Sequence, residues 1–339
     1  MRFIAVIFRL HLILGFIVMT AHAAECCTIP VFRYALDRWE ADKFRLVLPA
    51  SAADDGALQD ALRPMRANGK ANLEIVTARE KGQADAVLHG TKQGGPPVWQ
   101  GNLDLKNLQA LLESPVRSEI LRRILSGDSM IWVIVSNDTP LETAEAERIE
   151  KRLKFLEQVA SLPIQDPNDP DSQLGPGPPL KLKFATLRLK MDDPDEKLLI
   201  QMLAGPATQE IGGGAFAGVI FGRGRVLGAW PLEMLDDTTL EDACMFLVGR
   251  CSCRVKGQNP GWDLLMNVDW EKALVQAGES KVQPVEVAEP PVMKSPEVVT
   301  ISAAEPAAAE QEDVKPNLMW VGVGGAVLGA LLLIMKRRS

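Results

Sequence analysis

Histidine is scarce in this chain, with only three among 339 residues. His11 and His22 lie in a segment that we predict to be removed, so His89 is the one expected to remain in the mature protein. Histidine is the usual general base near neutral pH and a common zinc ligand. Its scarcity therefore excludes most histidine-based catalysis, a Ser-His-Asp hydrolase among them, and most zinc sites.

A surplus of positive charge is also lacking, since 37 Lys and Arg residues face 44 Asp and Glu residues, a net charge of −7. Nucleic acid is therefore not expected as a partner. The glycine-rich stretches Gly212-Gly213-Gly214 and Gly222-Arg223-Gly224 are not followed by Lys-Ser or Lys-Thr. They predict turns rather than a phosphate-binding loop.

The N-terminus resembles a secretory signal peptide over residues 1–23. Arg2 and Arg9 precede an apolar run from Leu10 to Met19, and Ala21-His22-Ala23 has small residues where signal peptidase needs them. The alternative is an uncleaved anchor, but the apolar run is short and Arg9 interrupts the segment. We therefore expect export and cleavage after Ala23.

The C-terminus predicts a membrane anchor over residues 317–335. Leu318–Met335 is uncharged and just long enough to cross a hydrocarbon core of about 30 Å. Trp320 would lie at the outer interface, and a cytoplasmic tail, residues 336–339, would hold the basic residues Lys336, Arg337 and Arg338. The bulk of the chain would then be extracytoplasmic, either periplasmic or extracellular, and tethered to the cell membrane.

Two further features accompany this anchor. Gly325 and Gly329 are four residues apart, a spacing that lets two membrane helices approach and suggests a homodimer. Residues 278–316 are rich in Pro, Glu, Val and Ala and predict a disordered linker that holds a folded domain away from the membrane.

The second half of the folded part, residues 128–277, predicts alternating strands and helices. Thr139-Pro140-Leu141-Glu142 has the N-cap, proline and glutamate of a helix start. Gly222-Arg223-Gly224 lies between two apolar runs and predicts a hairpin. The predicted strands are Met130–Ser136, Lys183–Lys190, Phe216–Phe221, Arg225–Trp230 and Trp262–Val268, and the helices are 139–161, Asp195–Ala204 and Thr239–Val248.

The order β-α-β-α-β-β-α over Ser129–Val248 resembles the thioredoxin family, and the hairpin Ala217–Ala229 resembles that family's third and fourth strands. The resemblance implies a Cys-x-x-Cys after the first strand and a cis-proline before the third. This chain has Ser136–Leu141 and Ala215-Phe216-Ala217 at those places. We therefore expect a degenerate thioredoxin-like domain without the usual redox centre, which favours a scaffold.

Residues 24–127 predict a smaller α/β unit. One interpretation is that this unit is a divergent copy of the domain that follows. Apolar runs predict strands at Phe44–Pro49, Asn72–Thr77 and Ala84–His89. Helices are expected at Val31–Trp39, Ala57–Ala67 and Leu105–Leu125, the last broken at Ser114-Pro115. The predicted fold class is thus α/β throughout, with a C-terminal transmembrane helix.

All five cysteines lie in the exported part, where paired cysteines normally oxidise. They are Cys26, Cys27, Cys244, Cys251 and Cys253. The simplest interpretation is structural disulfides, with one cysteine left over. Cys244 and Cys251 share a helical face with Leu240 and Leu247, a pattern typical of a core.

Two cysteine pairs allow an alternative. Cys27 precedes a predicted helix at Pro30, whose N-terminus would favour a thiolate. Cys251 and Cys253 would share one face of a strand or hairpin beside basic residues. Two alternatives to structural disulfides therefore remain. One is thiol–disulfide exchange, and the other is binding of copper or zinc by Cys26, Cys27, Cys251 and Cys253.

The sequence leads to one preferred hypothesis and two alternatives. We expect a membrane-anchored extracytoplasmic scaffold that binds another protein, with neither catalysis nor a cofactor of its own. The alternatives are a thiol redox protein and a thiolate carrier of soft metal ions.

Overall fold

Two β-sheets organise the protein, one built from each half of the chain. The computed structural model describes residues 28–279, apart from residues 69, 79–83, 93, 166–167 and 252–254. All described residues belong to one compact unit. The predicted mixed α/β class is confirmed.

Among the described residues, the N-terminal half contributes four strands and four α-helices. In chain order they are α1 (Val31–Arg38), β1 (Phe44–Leu48), α2 (Gly56–Asn68), β2 (Leu73–Thr77), β3 (Ala86–His89), β4 (Pro97–Gly101), α3 (Leu105–Leu112) and α4 (Pro115–Leu125). Ser114 is the N-cap of α4, and its hydroxyl accepts a hydrogen bond from the Arg117 N–H. The predicted break at Ser114-Pro115 is therefore confirmed.

In the described part of the C-terminal half there are five strands and five α-helices. They are β5 (Met130–Ser136), α5 (Pro140–Val159), β6 (Phe184–Lys190), α6 (Lys197–Ala204), α7 (Thr208–Ile211), β7 (Phe216–Phe221), β8 (Arg225–Pro231), α8 (Asp237–Val248), β9 (Trp262–Asp263) and α9 (Trp270–Glu279). The predicted elements from β5 to α8 are present to within a few residues of their predicted ends.

The two sheets share one strand arrangement. The first has the order β2-β1-β3-β4 and the second the order β6-β5-β7-β8-β9. In each, the first two strands along the chain are parallel neighbours and the next two continue the sheet in antiparallel pairs. The halves therefore repeat the same topology, with β9 added to the second.

Both faces of the second sheet are buried. On β5, Ile131, Val133 and Val135 point into a core shared with α4, α6 and the first sheet. The alternate residues Trp132 and Ile134 point into a second core with α1, α5 and α8. This alternation explains why β5 is apolar at nearly every position.

A close approach at the β7–β8 turn fixes α1 against the second sheet. Gly222 has φ +56°, and a Cβ at this position would lie 2.7 Å from the Ala35 Cβ. Only glycine combines this backbone conformation with so short a distance. The predicted hairpin is thus confirmed, and its glycine also packs against a helix.

Several predictions near the ends of elements were wrong. The strand expected over Trp262–Val268 covers only Trp262–Asp263, because the chain then leaves the sheet edge and only Asn267 forms an isolated bridge, with Ala71. Residues 270–279 form α9, with Trp270 and Leu274 buried, so the first two residues of the predicted linker are helical. Strand β4 and helix α7 were not predicted.

Candidate binding cleft between the two sheets

A surface cleft lies where the two halves of the protein meet. One wall is β4 with the loop that precedes it, and the other is α6. The cleft has two cavities, which share Pro97, Val98 and Gln201 as lining residues and therefore adjoin each other.

The apolar end of the cleft has a volume of about 510 Å³. This volume lies in the range of small-molecule sites and holds a large apolar side chain with room to spare. The large apolar residues that line it come from both halves and are Phe44, Met191, Ile200, Met202, Ile211, Phe216 and Trp262.

A glycine and a tryptophan shape this apolar end. The Trp262 Nε1–H donates a hydrogen bond to the Met202 carbonyl oxygen at 2.8 Å, which holds the indole against the end of α6. Gly205 follows α6 with φ +46°, and a Cβ there would collide with the indole. The pocket wall therefore depends on a residue without a side chain at position 205.

The polar end of the cleft is larger, about 910 Å³. Its charged lining residues balance, since Lys106 and Lys197 face Glu113 and Asp195. The cleft as a whole thus offers a long, neutral channel that ends in an apolar pocket.

Strand β4 brings a free edge to this channel. It is the last strand in the order β2-β1-β3-β4 and pairs only with β3. Alternate N–H and C=O groups of an edge strand point away from its sheet. Among the described residues, no hydrogen bond uses the outward backbone groups of β4.

Glu196, at the start of α6, joins the two halves beneath the cleft. Its side chain is buried and accepts hydrogen bonds from the Ser114 hydroxyl at 2.6 Å and from the Val116 N–H at 2.7 Å. Burial raises the pKa of the Glu196 carboxyl, although these donors and Arg117 act in the opposite direction. A residue of the C-terminal half therefore caps a helix of the N-terminal half.

Arg117 completes this buried contact. Its guanidinium donates to the carbonyl oxygens of Ala110 and Leu111 at 2.9 and 2.8 Å. Burial lowers the pKa of the Arg117 side chain to about 10, still well above neutrality, so it remains charged. Both Arg117 and Glu196 were missed by the sequence analysis, because charged residues beside helix starts normally face solvent.

The segment after β5 is a helix start rather than a reactive site. Thr139 and Glu142 form the predicted capping box, in which Glu142 accepts from the N–H groups of Asn137 and Thr139, both at 3.1 Å. These hydrogen bonds, that from Thr139 first, lower the pKa of the Glu142 carboxyl. The Glu142 carboxylate thus caps the helix, and the capping box already uses the N–H groups at the helix N-terminus.

The predicted core position of Cys244 is confirmed. It is fully buried in the core beneath α8, and burial raises the pKa of its thiol to about 12. A thiol so protected is not a nucleophile near neutral pH. Cys244 therefore does not belong with the candidate redox or metal residues.

Cys251 lies where the first described residues of the chain meet the end of α8. Cys251 is buried, and its N–H donates to the Ile29 carbonyl oxygen at 3.0 Å. Pro30 and Arg250 form an antiparallel bridge there. Cys26, Cys27 and Cys253 lie outside the described residues.

Helix α1 begins at Val31, as predicted, four residues after Cys27 in the chain. Its N-cap is Pro30, with extended backbone. Proline fits this position because a helix N-terminus does not need its N–H. Across the described ranges, no group of three His, Cys, Asp or Glu residues is placed to hold a metal ion.

The predicted signal peptide and anchor, including Trp320, Gly325, Gly329 and the basic residues 336–338, lie outside the described residues. Of the helices within residues 28–279, none combines the length and the apolar character that crossing a membrane requires.

Comparisons with known proteins give no match. No protein-family profile matches the chain, and no curated protein or solved structure is significantly similar to it. The function is therefore argued from the cleft itself.

Proposed function

We propose that this protein is a membrane-anchored, extracytoplasmic scaffold that binds a partner protein in the cleft between its two sheets and catalyses no reaction of its own. The observation that carries the proposal is the pair of adjoining cavities, one polar with balanced charges and the other apolar. Their lining offers surface for contact. The buried carboxylate among the lining residues, that of Asp263, is paired with the Arg225 guanidinium at 3.1 Å, and this ion pair argues against a catalytic role for it.

We further propose that both halves are degenerate thioredoxin-like units. The shared strand order and the helices on both faces of the second sheet support this assignment. The capping box stands where the resemblance implies a dithiol, and Gly213-Gly214-Ala215 precedes β7 without a cis peptide bond. A thioredoxin-like fold without the family's redox residues is consistent with a binding role.

The cellular location is part of the same proposal. A cleaved leader, residues 1–23, and a C-terminal anchor, residues 317–335, would hold the cleft outside the cytoplasm, and Gly325 and Gly329 could pair two anchors. Protease added to intact cells or spheroplasts should digest the folded part. Protection from that protease would contradict the location.

Affinity capture from detergent-solubilised membranes tests the binding role. Gly95 lines the apolar pocket, is exposed, and has room for a Cβ, so Gly95→Trp should obstruct the pocket without disturbing the fold. Gly56→Trp, at an equally open glycine remote from the cleft, is the control.

The proposal predicts that one partner is retained by the wild-type protein and by Gly56→Trp, and is lost from Gly95→Trp. Serine at positions 26, 27, 251 and 253 should leave the partner bound. Retention by Gly95→Trp together with loss from the serine variant would instead favour a function of the thiols.

One observation favours thiol chemistry as a second candidate. The described ends of both cysteine-bearing segments lie side by side, since Pro30 pairs with Arg250 and Cys251 with Ile29. We therefore propose that a disulfide between Cys26 or Cys27 and Cys251 or Cys253 is the first to test.

Thiol alkylation followed by intact-mass measurement, before and after mild reductant, distinguishes the candidates. A disulfide that resists mild reduction indicates a structural link, and one that opens readily indicates a redox role. Copper or zinc bound after anaerobic purification, at about one ion per chain, would indicate a metal carrier.

A further inference from the structure

We propose that the apolar pocket binds a small amphiphile, with a single apolar chain inside the pocket and one carboxylate beside Lys92 at its rim. This inference goes beyond the proposed function, since it concerns a small molecule and holds whether or not a partner protein binds the cleft.

The pocket reaches the buried interior where the two sheets meet α6. Phe44 on β1, Met202 on α6 and Phe216 at the start of β7 line it, and each is at most 3% exposed. The surface of the pocket is mostly apolar. An apolar chain that fills it removes apolar surface of both ligand and protein from water, and this burial favours binding.

The charge at the rim of the pocket is positive. Among the described residues that line the pocket, Asp263 and Lys92 are charged. The Asp263 carboxylate is buried and forms ion pairs with the Arg225 guanidinium, at 3.1 Å, and with the Lys256 ammonium, so its charge is already compensated. Lys92 is exposed, and within the described ranges no carboxylate forms an ion pair with its ammonium.

These features specify the chemistry of the ligand. Its chain has to be apolar, because a polar group inside the pocket would lose its hydrogen bonds to water and find few replacements. A single negative charge can stay at the rim, where Lys92 attracts it and water still solvates it. The volume of about 510 Å³ lies in the lower half of the range for small-molecule sites, which suits one chain better than the two of a membrane phospholipid.

Photolabelling in native membranes tests the site in the full chain. The probe is a dodecanoate analogue with a diazirine in its chain, and the labelled peptides are identified by mass spectrometry. We expect adducts within residues 191–216, which form one wall of the pocket, and we expect excess dodecanoate to suppress them. Gly95→Trp should abolish these adducts, and Gly56→Trp should leave them unchanged. Equal labelling of wild type and Gly95→Trp would overturn the proposal, as would adducts confined to the predicted anchor.

Replacement of Lys92 tests the carboxylate separately. Lys92→Gln should lower the labelling by the acid probe about two- to fivefold, the value of an exposed ion pair, and should not change the labelling by its methyl ester. Lys154 is exposed on α5 and does not line the cleft, so Lys154→Gln should affect neither probe. An equal effect of Lys92→Gln on both probes, or none on the acid, would contradict a role for the charge. This comparison still decides if Gly95→Trp fails to fold.

A phosphatidylcholine with the same diazirine chain distinguishes a free amphiphile from a membrane lipid. Labelling of residues 191–216 by this lipid but not by the acid would overturn a single-chain ligand. The outcomes also separate this inference from the proposed function. A retained partner without any labelling of the pocket overturns only the inference, and a labelled pocket without any retained partner overturns only the proposed function.

Discussion

Replacement of Glu196 by alanine tests how the two halves are held together. The side chain is only 1% exposed and accepts hydrogen bonds from the Ser114 hydroxyl and the Val116 N–H, at 2.6 and 2.7 Å. The alanine variant would leave both donors without an acceptor, the Ser114 hydroxyl buried and the Val116 N–H partly buried. Each such donor costs about 1–3 kcal/mol, so we expect a loss of about 2–4 kcal/mol in the free energy of unfolding.

Glutamine at the same position is a sharper comparison. Its amide oxygen can accept from the Val116 N–H. The Ser114 oxygen already accepts from the backbone N–H and the Nε–H of Arg117, so the glutamine NH₂ group cannot replace the acceptor that the Ser114 hydroxyl loses. We therefore expect Glu196→Gln to lose about 1–3 kcal/mol at neutral pH, the cost of one buried donor without an acceptor. Glu210 is exposed on α7, and Glu210→Ala should change stability by no more than about 0.5 kcal/mol.

The pH dependence of stability gives an independent test. The pKa of Glu196 is raised in the folded protein, so its contribution is fully present below the pKa of the unfolded chain. That contribution is lost as the pH rises through the folded-state pKa. Wild type should therefore lose stability relative to Glu196→Gln as the pH rises above 4.5, the ordinary pKa of a glutamate.

Urea unfolding of the full chain in detergent, followed by tryptophan fluorescence, measures these differences. The reasoning is refuted if Glu196→Ala is as stable as Glu210→Ala. It is also refuted if wild type gains stability relative to Glu196→Gln as the pH rises.

The remaining predictions concern Cys244 and Gly222. Cys244 should resist maleimide at pH 8 in the folded protein and react after unfolding, and labelling of the folded protein would contradict its burial. Because the pKa of its thiol rises from 9.0 to about 12, wild type should lose stability relative to Cys244→Ala above pH 9. Gly222 and Gly212 have similar φ values, +56° and +59°, but only the former approaches another residue closely. Gly222→Ala should therefore cost about 1–3 kcal/mol more than Gly212→Ala in urea unfolding, and equal losses would show that packing against Ala35 is unimportant.

The sequence predicted the elements whose patterns are local. Strand β5 is apolar at every position before Ser136 because both of its faces are buried, and the capping box of α5 lies within four consecutive residues. The β7–β8 hairpin is marked by glycines that its turn requires. In these places local preference and tertiary structure agree.

The cleft could not be predicted in the same way. Its walls, β4 and α6, are about a hundred residues apart in the chain and meet only in the folded protein. Pro96-Pro97 resembles a loop, which hid the start of β4, and Met202, Ile211 and Phe216 resemble ordinary core residues. Nothing local distinguishes an apolar residue that lines a pocket from one that fills a core.

Photo-crosslinking from Gln201 tests the central claim most directly. Gln201 is exposed and borders both cavities of the cleft, whereas Gln209 is equally exposed but lines neither. A benzophenone amino acid is placed at one or the other position of the full chain in its native membranes. We predict a light-dependent adduct with one partner from position 201, lost in the Gly95→Trp background, and no such adduct from position 209. The same adduct from both positions, or none from position 201, would contradict a binding function for the cleft.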